Sequence, residues 1–298
     1  MNWQNAITDF QLFLKIERGL STNTIESYSR DLSKLLLFLE RNEIELSPIV
    51  IDKNTIQQFI YEIAKKGAVR SQARIIAGLR SFFDYLIFED YRATNPTDLI
   101  ETPKLGLKLP DTLSTAEIDA LIAAIDLSHP QGERNKAMLE TMYSCGLRVS
   151  ELTSLKISDL FFEEGFIRVI GKGNKQRFIP IHVSTQRIIN GYVVHFRKLI
   201  IPNKGSEDTL FLNRRGNGLS RQMVFMILKK LAINIGLEKK ISPHTFRHSF
   251  ATHLLKGGAD LRVIQQMLGH ESITTTEVYL HIDKSDLQEV VEKFHPRK

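Results

Sequence analysis

One cysteine, Cys145, and one tryptophan, Trp3, stand among 298 residues. A single thiol cannot build an internal disulfide framework, and it cannot supply a cysteine cluster for zinc or an iron–sulfur centre. Long apolar runs are scarce as well. The densest, Leu35-Leu36-Leu37-Phe38-Leu39, falls far short of the roughly 20 residues of a membrane span. The N-terminus, Met1-Asn2-Trp3-Gln4-Asn5, lacks the basic start and apolar stretch of a secretory signal. Internal repeats and low-complexity tracts are also missing. Extracellular, collagen-like, disordered and integral-membrane classes therefore drop out, and a cytoplasmic protein is the expectation. What remains is an ordinary globular composition, 42% hydrophobic and 25% charged, in a chain long enough for about two domains.

Charge is unevenly placed. Residues 108–240 carry 20 basic and 13 acidic side chains, whereas residues 1–107 carry 13 and 14, and residues 241–298 carry 7 of each. The surplus of positive charge sits in the middle of the chain. Such a field favours a polyanion such as nucleic acid, although a solvated surface gives the same count.

The first hundred residues have a helical period. Ile7, Phe10 and Leu14 recur at three- and four-residue steps, as do Ile25, Tyr28, Leu32, Leu35, Leu36 and Leu39. Ser21 or Thr22 is the expected cap of the second helix. A third helix is expected after Asn54-Thr55, and a fourth from about 71 to 88. Pro96, Pro103, Gly106 and Pro110 then break the period, so a linker and a domain boundary are placed near residue 107. Beyond it, Ser114-Thr115-Ala116-Glu117 has the pattern of a capping box, and further helices are expected at about 134–144 and from 150. The period then changes. Phe166–Ile170 and Arg177–Ile181 are short β-type runs around Gly171-Lys172-Gly173-Asn174-Lys175-Gln176, which predicts a hairpin with a basic tip. Helices return at about 185–199, 221–236, 245–257 and 261–268.

Six of the nine histidines fall in residues 241–298. Ser242-Pro243-His244-Thr245-Phe246-Arg247-His248 opens a helix with proline at its start, and His244 and Arg247, three apart, share one face near the anion-favouring end. Leu268-Gly269-His270 and Thr276-Glu277-Val278-Tyr279 follow, and Gly146-Leu147-Arg148-Val149-Ser150-Glu151-Leu152 stands upstream. These segments, in this order, resemble the signature of the tyrosine recombinases, the phage integrase family. The resemblance is narrower still toward the bacterial XerC/XerD type, with a lean to XerD-like, and it covers the whole chain. It includes Leu20-Ser21-Thr22-Asn23-Thr24, Tyr28-Ser29-Arg30-Asp31-Leu32, Gly171-Lys172-Gly173-Asn174-Lys175 and Phe294-His295-Pro296-Arg297. Glu277 and Leu280 depart from the Gln and Thr that many relatives carry beside the tyrosine.

The resemblance implies a mainly α fold in two domains that form a C-shaped clamp. Residues 1–107 would be a helical, SAM-like core-binding domain. Residues 108–298 would be a helical catalytic domain with a small antiparallel β-sheet. It implies Tyr279 as nucleophile, forming a 3′-phosphotyrosine. Arg148 and Arg247 would clamp the non-bridging oxygens, Lys172 would protonate the leaving 5′-oxygen, His244 would assist tyrosine deprotonation and phosphate binding, and His270 would donate to the phosphate. This suits the chemistry, since breaking a phosphodiester needs a nucleophile, stabilisation of extra negative charge and a proton for the leaving oxygen. Planar guanidiniums match phosphate oxygens, and with a lysine they can take the charge-neutralising part of a metal. No cofactor and no metal are expected. The implied partners are double-stranded DNA with roughly palindromic half-sites, a homo- or hetero-tetramer with a paralogous recombinase working through a Holliday junction, and a septal DNA translocase during chromosome-dimer resolution.

Bland readings compete at each position. His244 and His248, four apart, could suggest zinc, but the glutamate of His-Glu-x-x-His is missing and Arg247 between them repels a cation. The glycine-rich turn lacks P-loop spacing. His248 and His253 read as structural, and Cys145 reads as a buried apolar side chain. Thr22, Asn23, Arg30, Arg74 and Arg80 are the candidate DNA contacts of the first domain, and Asn217, Ser220, Arg221 and Gln222 those of the second. Leu287, Val290, Val291 and Phe294 mark one helix face, which packs on its own domain or, by the resemblance, docks into a neighbouring protomer. Two other functions remain open: an integrase or invertase of a mobile element or phase-variation switch with the same chemistry, and a non-catalytic DNA-binding regulator.

Overall fold

A computed structural model of the chain describes residues 1–66, 68–103, 111–269 and 284–297, with backbone alone for residues 66, 172 and 284–286. The chain divides into two compact units, Met1–Lys108 and Leu109–Lys298. No described helix is long and apolar enough to cross a membrane.

The first unit is built from helices α1 (Trp3–Ile16), α2 (Thr22–Arg41), α3 (Lys53–Lys66) and α4 (Val69–Phe88). Ser21 caps α2, its hydroxyl accepting from the Thr24 amide at 3.4 Å. The third helix starts three residues ahead of expectation, because the capping acceptor is the Asp52 carboxylate, 2.9 Å from the Thr55 amide. The apolar stripes read from the period converge on Phe10, Leu32, Leu35, Ile76, Leu79, Phe82 and Leu86, all fully buried. At roughly 1.5–3 kcal/mol for each large side chain, this burial is the main favourable contribution that holds the four helices together.

The second unit contains α5 (Thr115–Ala123), α6 (Gly132–Ser144), α7 (Val149–Ser154), strands β1 (Leu160–Phe161), β2 (Phe166–Ile170) and β3 (Gln176–Pro180), then α8 (Val183–Gly191), α9 (Arg221–Asn234), α10 (Pro243–Gly257), α11 (Leu261–Leu268) and α12 (Lys284–Phe294). Ser114 and Glu117 form the expected capping box on α5. The strands make one antiparallel sheet in the order β1-β2-β3, with Ile167 opposite Ile179 and Arg168 opposite Phe178. The expected single helix over 185–199 is instead α8 followed by a π turn over Tyr192–Phe196 and a 3₁₀ turn over Arg197–Leu199. Arg197, buried there, donates to the carbonyls of Thr209 and Glu207.

Helix α12 packs on its own unit. Leu287 and Val291 join the core that holds Tyr143, Phe246 and Phe250. The Phe294 carbonyl lies so close to Gly257 that a Cβ there would stand 2.8 Å from it. Arg297 closes the tail, its Nε donating to Glu140 at 2.9 Å and its Nη1 to Asp119 at 2.5 Å.

Candidate active site

Three chain segments meet around one buried carboxylate. The first is the junction of α6 and α7. Gly146 takes φ of +57°, and a Cβ there would meet the Phe250 ring at 2.4 Å, so glycine alone fits. The chain then turns Arg148 out at the start of α7, one turn before Glu151. The Glu151 carboxylate accepts from the Arg148 backbone amide at 2.9 Å and from its Nη1 at 2.8 Å.

The second segment is α10, which begins with Pro243 at its first position, where a missing amide costs nothing. His244 is exposed in the first turn, and Arg247 lies one turn on, only 9% of its side chain exposed. Arg247 donates to the carbonyls of Gly146 at 2.8 Å and Leu268 at 2.5 Å, and stands 3.9 Å from Glu151. Burial, then the charge of Arg148, pushes its guanidinium down to about 10, still charged at neutral pH.

The third segment is the end of α11, closed by Gly269 at φ +62°. The Gly269 carbonyl accepts from Arg148 Nη2 at 3.1 Å. Both arginines therefore grip the backbone directly ahead of residue 270. His244, Arg247 and His248 line an open depression of about 420 Å³ with Lys240, Ser242 and Leu268.

Lys172 is carried on the β2–β3 turn, closed by a Gly171 amide to Lys175 carbonyl bond of 2.8 Å, with Gly173 at φ +69° and Asn174 at φ +61°. Its side chain lies outside the described residues, as do His270 and Tyr279. Among the described residues no cluster of three or more His, Cys, Asp or Glu is placed to hold a metal ion.

Glu151 and Arg177 form the centre of this arrangement, and neither was singled out from the sequence. Arg177 on β3 meets both Glu151 oxygens at 2.8 Å and donates its Nε to the Met267 carbonyl at 2.8 Å. Burial alone would raise the Glu151 carboxyl. The hydrogen bonds and charge of Arg177, then those of Arg148, overcome it and hold the group below its usual range. The signal for Arg177 was strand alternation, which puts it on the same face as the buried Ile179. An inward-facing arginine demands a carboxylate partner.

The candidate DNA contacts are distributed as follows. Thr22, Asn23 and Arg30 are exposed on α2. Arg74 on α4 donates to the fully buried Asp31 through two bonds, the longer 2.8 Å, and also to Ser27. Arg80 reaches the Ile100 carbonyl at 3.2 Å. Ser220 caps α9 by accepting from the Met223 amide at 3.1 Å, with Arg221 and Gln222 exposed in the first turn. Asn217, exposed just ahead of that cap, accepts from Asn203 at 3.0 Å. His253 is structural, its Nδ1 2.7 Å from the Tyr143 hydroxyl. Cys145 is fully buried, and burial pushes its thiol up to about 12.

Similarity to known proteins agrees with this geometry. Residues 111–286 match the Phage integrase family, and residues 7–90 match the Phage integrase, N-terminal SAM-like domain. The chain is 44% identical over 294 residues to tyrosine recombinase XerD of Listeria innocua, covering 98% of this chain and 99% of that one. At the level of fold, it is similar to XerH site-specific recombinase bound to difH substrate, with a TM-score of 0.69 and 24% identity over 95% of this chain and 83% of that one. A lambda integrase tetramer bound to a Holliday junction gives a TM-score of 0.72 and 19% identity, over 93% and 81% of the two chains. The chain belongs to the phage integrase family of site-specific tyrosine recombinases, enzymes that cleave and religate DNA, and within that family it is XerD-like.

Proposed function

We propose that Tyr279 attacks a scissile phosphate in duplex DNA, forms a 3′-phosphotyrosyl bond and releases a 5′-hydroxyl. In this scheme Arg148 and Arg247 hold the non-bridging oxygens, His244 assists deprotonation of the tyrosine and binds the phosphate, His270 donates to the phosphate, and Lys172 protonates the leaving oxygen. The phosphotyrosyl bond retains the energy of the phosphodiester, so religation needs no nucleotide. Two guanidiniums and an ammonium supply the positive charge, so the scheme needs no metal.

One observation carries the reading. Arg148 and Arg247, 99 positions apart in the chain, bind the same carboxylate region and adjacent carbonyls, Leu268 and Gly269, at the end of α11. Two permanent cations so placed beside an exposed His244 make an anion site, and the segment leading to His270 and Tyr279 starts there.

The remaining proposals follow the relatives. Both units contact DNA, the first through Thr22, Asn23, Arg30, Arg74 and Arg80, the second through Asn217, Ser220, Arg221 and Gln222. Four copies, or two copies with two of a paralogue, exchange strands through a Holliday junction to resolve chromosome dimers in the cytoplasm, with a septal DNA translocase as activating partner.

The test is covalent trapping. The protein is incubated in chelator with nicked suicide duplexes that carry termination-region sites, and denaturing gels are read for a protein–DNA adduct. An adduct that Tyr279→Phe abolishes is expected. Tight binding without an adduct across a genomic site library would overturn the proposed chemistry. Adducts confined to sites at mobile-element boundaries or invertible repeats would reassign the biological role and leave the chemistry standing.

A further inference from the structure

Glu151 poses an electrostatic problem for the proposed phosphate clamp. It is a carboxylate with 2% of its side chain exposed, in contact with Arg148 and 3.9 Å from Arg247. Alone with those two arginines it would neutralise half of their charge, where a phosphate gaining negative charge needs all of it. Out of bulk water each charge weighs several-fold more than it would in solvent.

Arg177 changes that balance. It faces Glu151 with two parallel bonds of 2.8 Å, the strongest geometry a guanidinium and a carboxylate can adopt. Arg148 offers Glu151 only one side-chain N–H and turns the other to Gly269, while Arg247 turns both of its bonds to backbone carbonyls. Three guanidiniums against one carboxylate leave two positive charges in excess, the number the clamp uses. Arg177 is itself enclosed, its side chain 14% exposed, and tied to Met267. A Cβ on Gly269 would press on its side chain at 3.2 Å. Each of its three guanidinium nitrogens is engaged by Met267 or Glu151.

We propose that Arg177 is a positioning residue for strand cleavage: by pairing with Glu151 it leaves Arg148 and Arg247 with their full charge for the scissile phosphate. This rests on the reading of those two arginines as the clamp. A purely structural Arg177 would satisfy a buried carboxylate and nothing more, and the two roles separate by substrate. In a methylphosphonate one non-bridging oxygen is replaced by methyl, so the phosphate carries no charge and the charge-balancing demand falls.

Single-turnover adduct formation should be measured on nicked duplexes with an ordinary or a methylphosphonate linkage at the cleavage position. Arg177→Met is expected to slow cleavage of the ordinary linkage about a hundredfold, the scale of losing one pre-organised electrostatic contact, and of the methylphosphonate by only a few-fold. Arg177→Met combined with Glu151→Gln removes one charge of each sign, keeps the excess of two, and should recover at least about tenfold. Equal losses on both linkages, with no recovery in the double variant, would overturn the proposal. Should Arg177→Met fail to fold, the double variant carries the test, since it buries no unpaired carboxylate. A deficit under about tenfold on the ordinary linkage supports the charge role, and one of about a hundredfold overturns it. A wild type that forms no adduct on either linkage overturns the clamp reading itself.

Discussion

Two arginines on the first unit show how one residue type does different work. Arg30 is exposed on α2 and donates its Nε to the Glu26 carbonyl one turn back. Arg74 partners Asp31, which is fully buried. Arg74→Ala should therefore destabilise the first unit by about 1–2 kcal/mol, below the loss for a fully enclosed pair because Arg74 is 43% exposed. Arg30→Ala should leave unfolding unchanged and weaken DNA binding. Urea titrations beside a binding isotherm separate the two. His295 provides a pH readout. It is 1% exposed, and its Nε2 has no partner among the described residues. Burial, then the charge of Arg297, pushes the imidazole down from 6.5 to about 3. The folded state thus binds the proton less readily than the unfolded one. Its contribution to stability is complete above pH 6.5 and is lost as pH falls toward 3. His295→Leu should flatten that part of the urea midpoint's dependence between about pH 7 and pH 5.

At the scale of elements, the junction of α6 and α7 should tolerate least. Gly146→Ala forces a left-handed backbone on alanine and drives Phe250 aside, at about 2–3 kcal/mol in thermal unfolding. It also disturbs the carbonyl that accepts from Arg247, so adduct formation should fall even where the protein stays folded. At the same junction Arg148 stood out in the sequence only through the family signature, since an arginine at a helix entrance is by itself ordinarily a surface residue. Amphipathic helices such as α2 and α4 were legible for a simpler reason: their stripes are long enough to establish a period. Strand β1 was not, since two residues carry no period. The π turn over Tyr192–Phe196 escaped because its residues continue the helical pattern, and its geometry depends on tertiary packing of the buried Tyr192. The start of α3 was misplaced because Asp52 and Asn54 are both good caps, and local sequence does not choose between them. In the candidate site, single side chains with family counterparts stood out. The Glu151–Arg177 pair did not, because it forms between residues 26 positions apart and depends on the register of β3.

For the whole molecule, the positive surplus over residues 108–240 belongs to the catalytic unit, whereas the first unit is close to neutral. Binding to duplex DNA should then be strongly salt-dependent. With six or more phosphate contacts, affinity should drop about a thousandfold between about 50 and 200 mM salt. Arg221→Ala should lower that slope by about one, read from binding isotherms across a salt series. The two units also have separate apolar cores, one around Phe10 and Phe82 and the other around Tyr143 and Phe250. Stability measured on the whole chain is therefore a property of two cores, and calorimetry should resolve two transitions.

The burial of Cys145 makes the molecule a ready scaffold for chemical reporters. The chain's single thiol is fully buried and held protonated, so a maleimide in solution meets no reactive sulfur until the protein unfolds. Native protein should stay unlabelled and take up one equivalent in denaturant, as mass spectrometry would show. A cysteine introduced at the exposed Glu289→Cys on α12 would then carry the only dye, and its fluorescence would follow the C-terminal helix as copies gather on DNA.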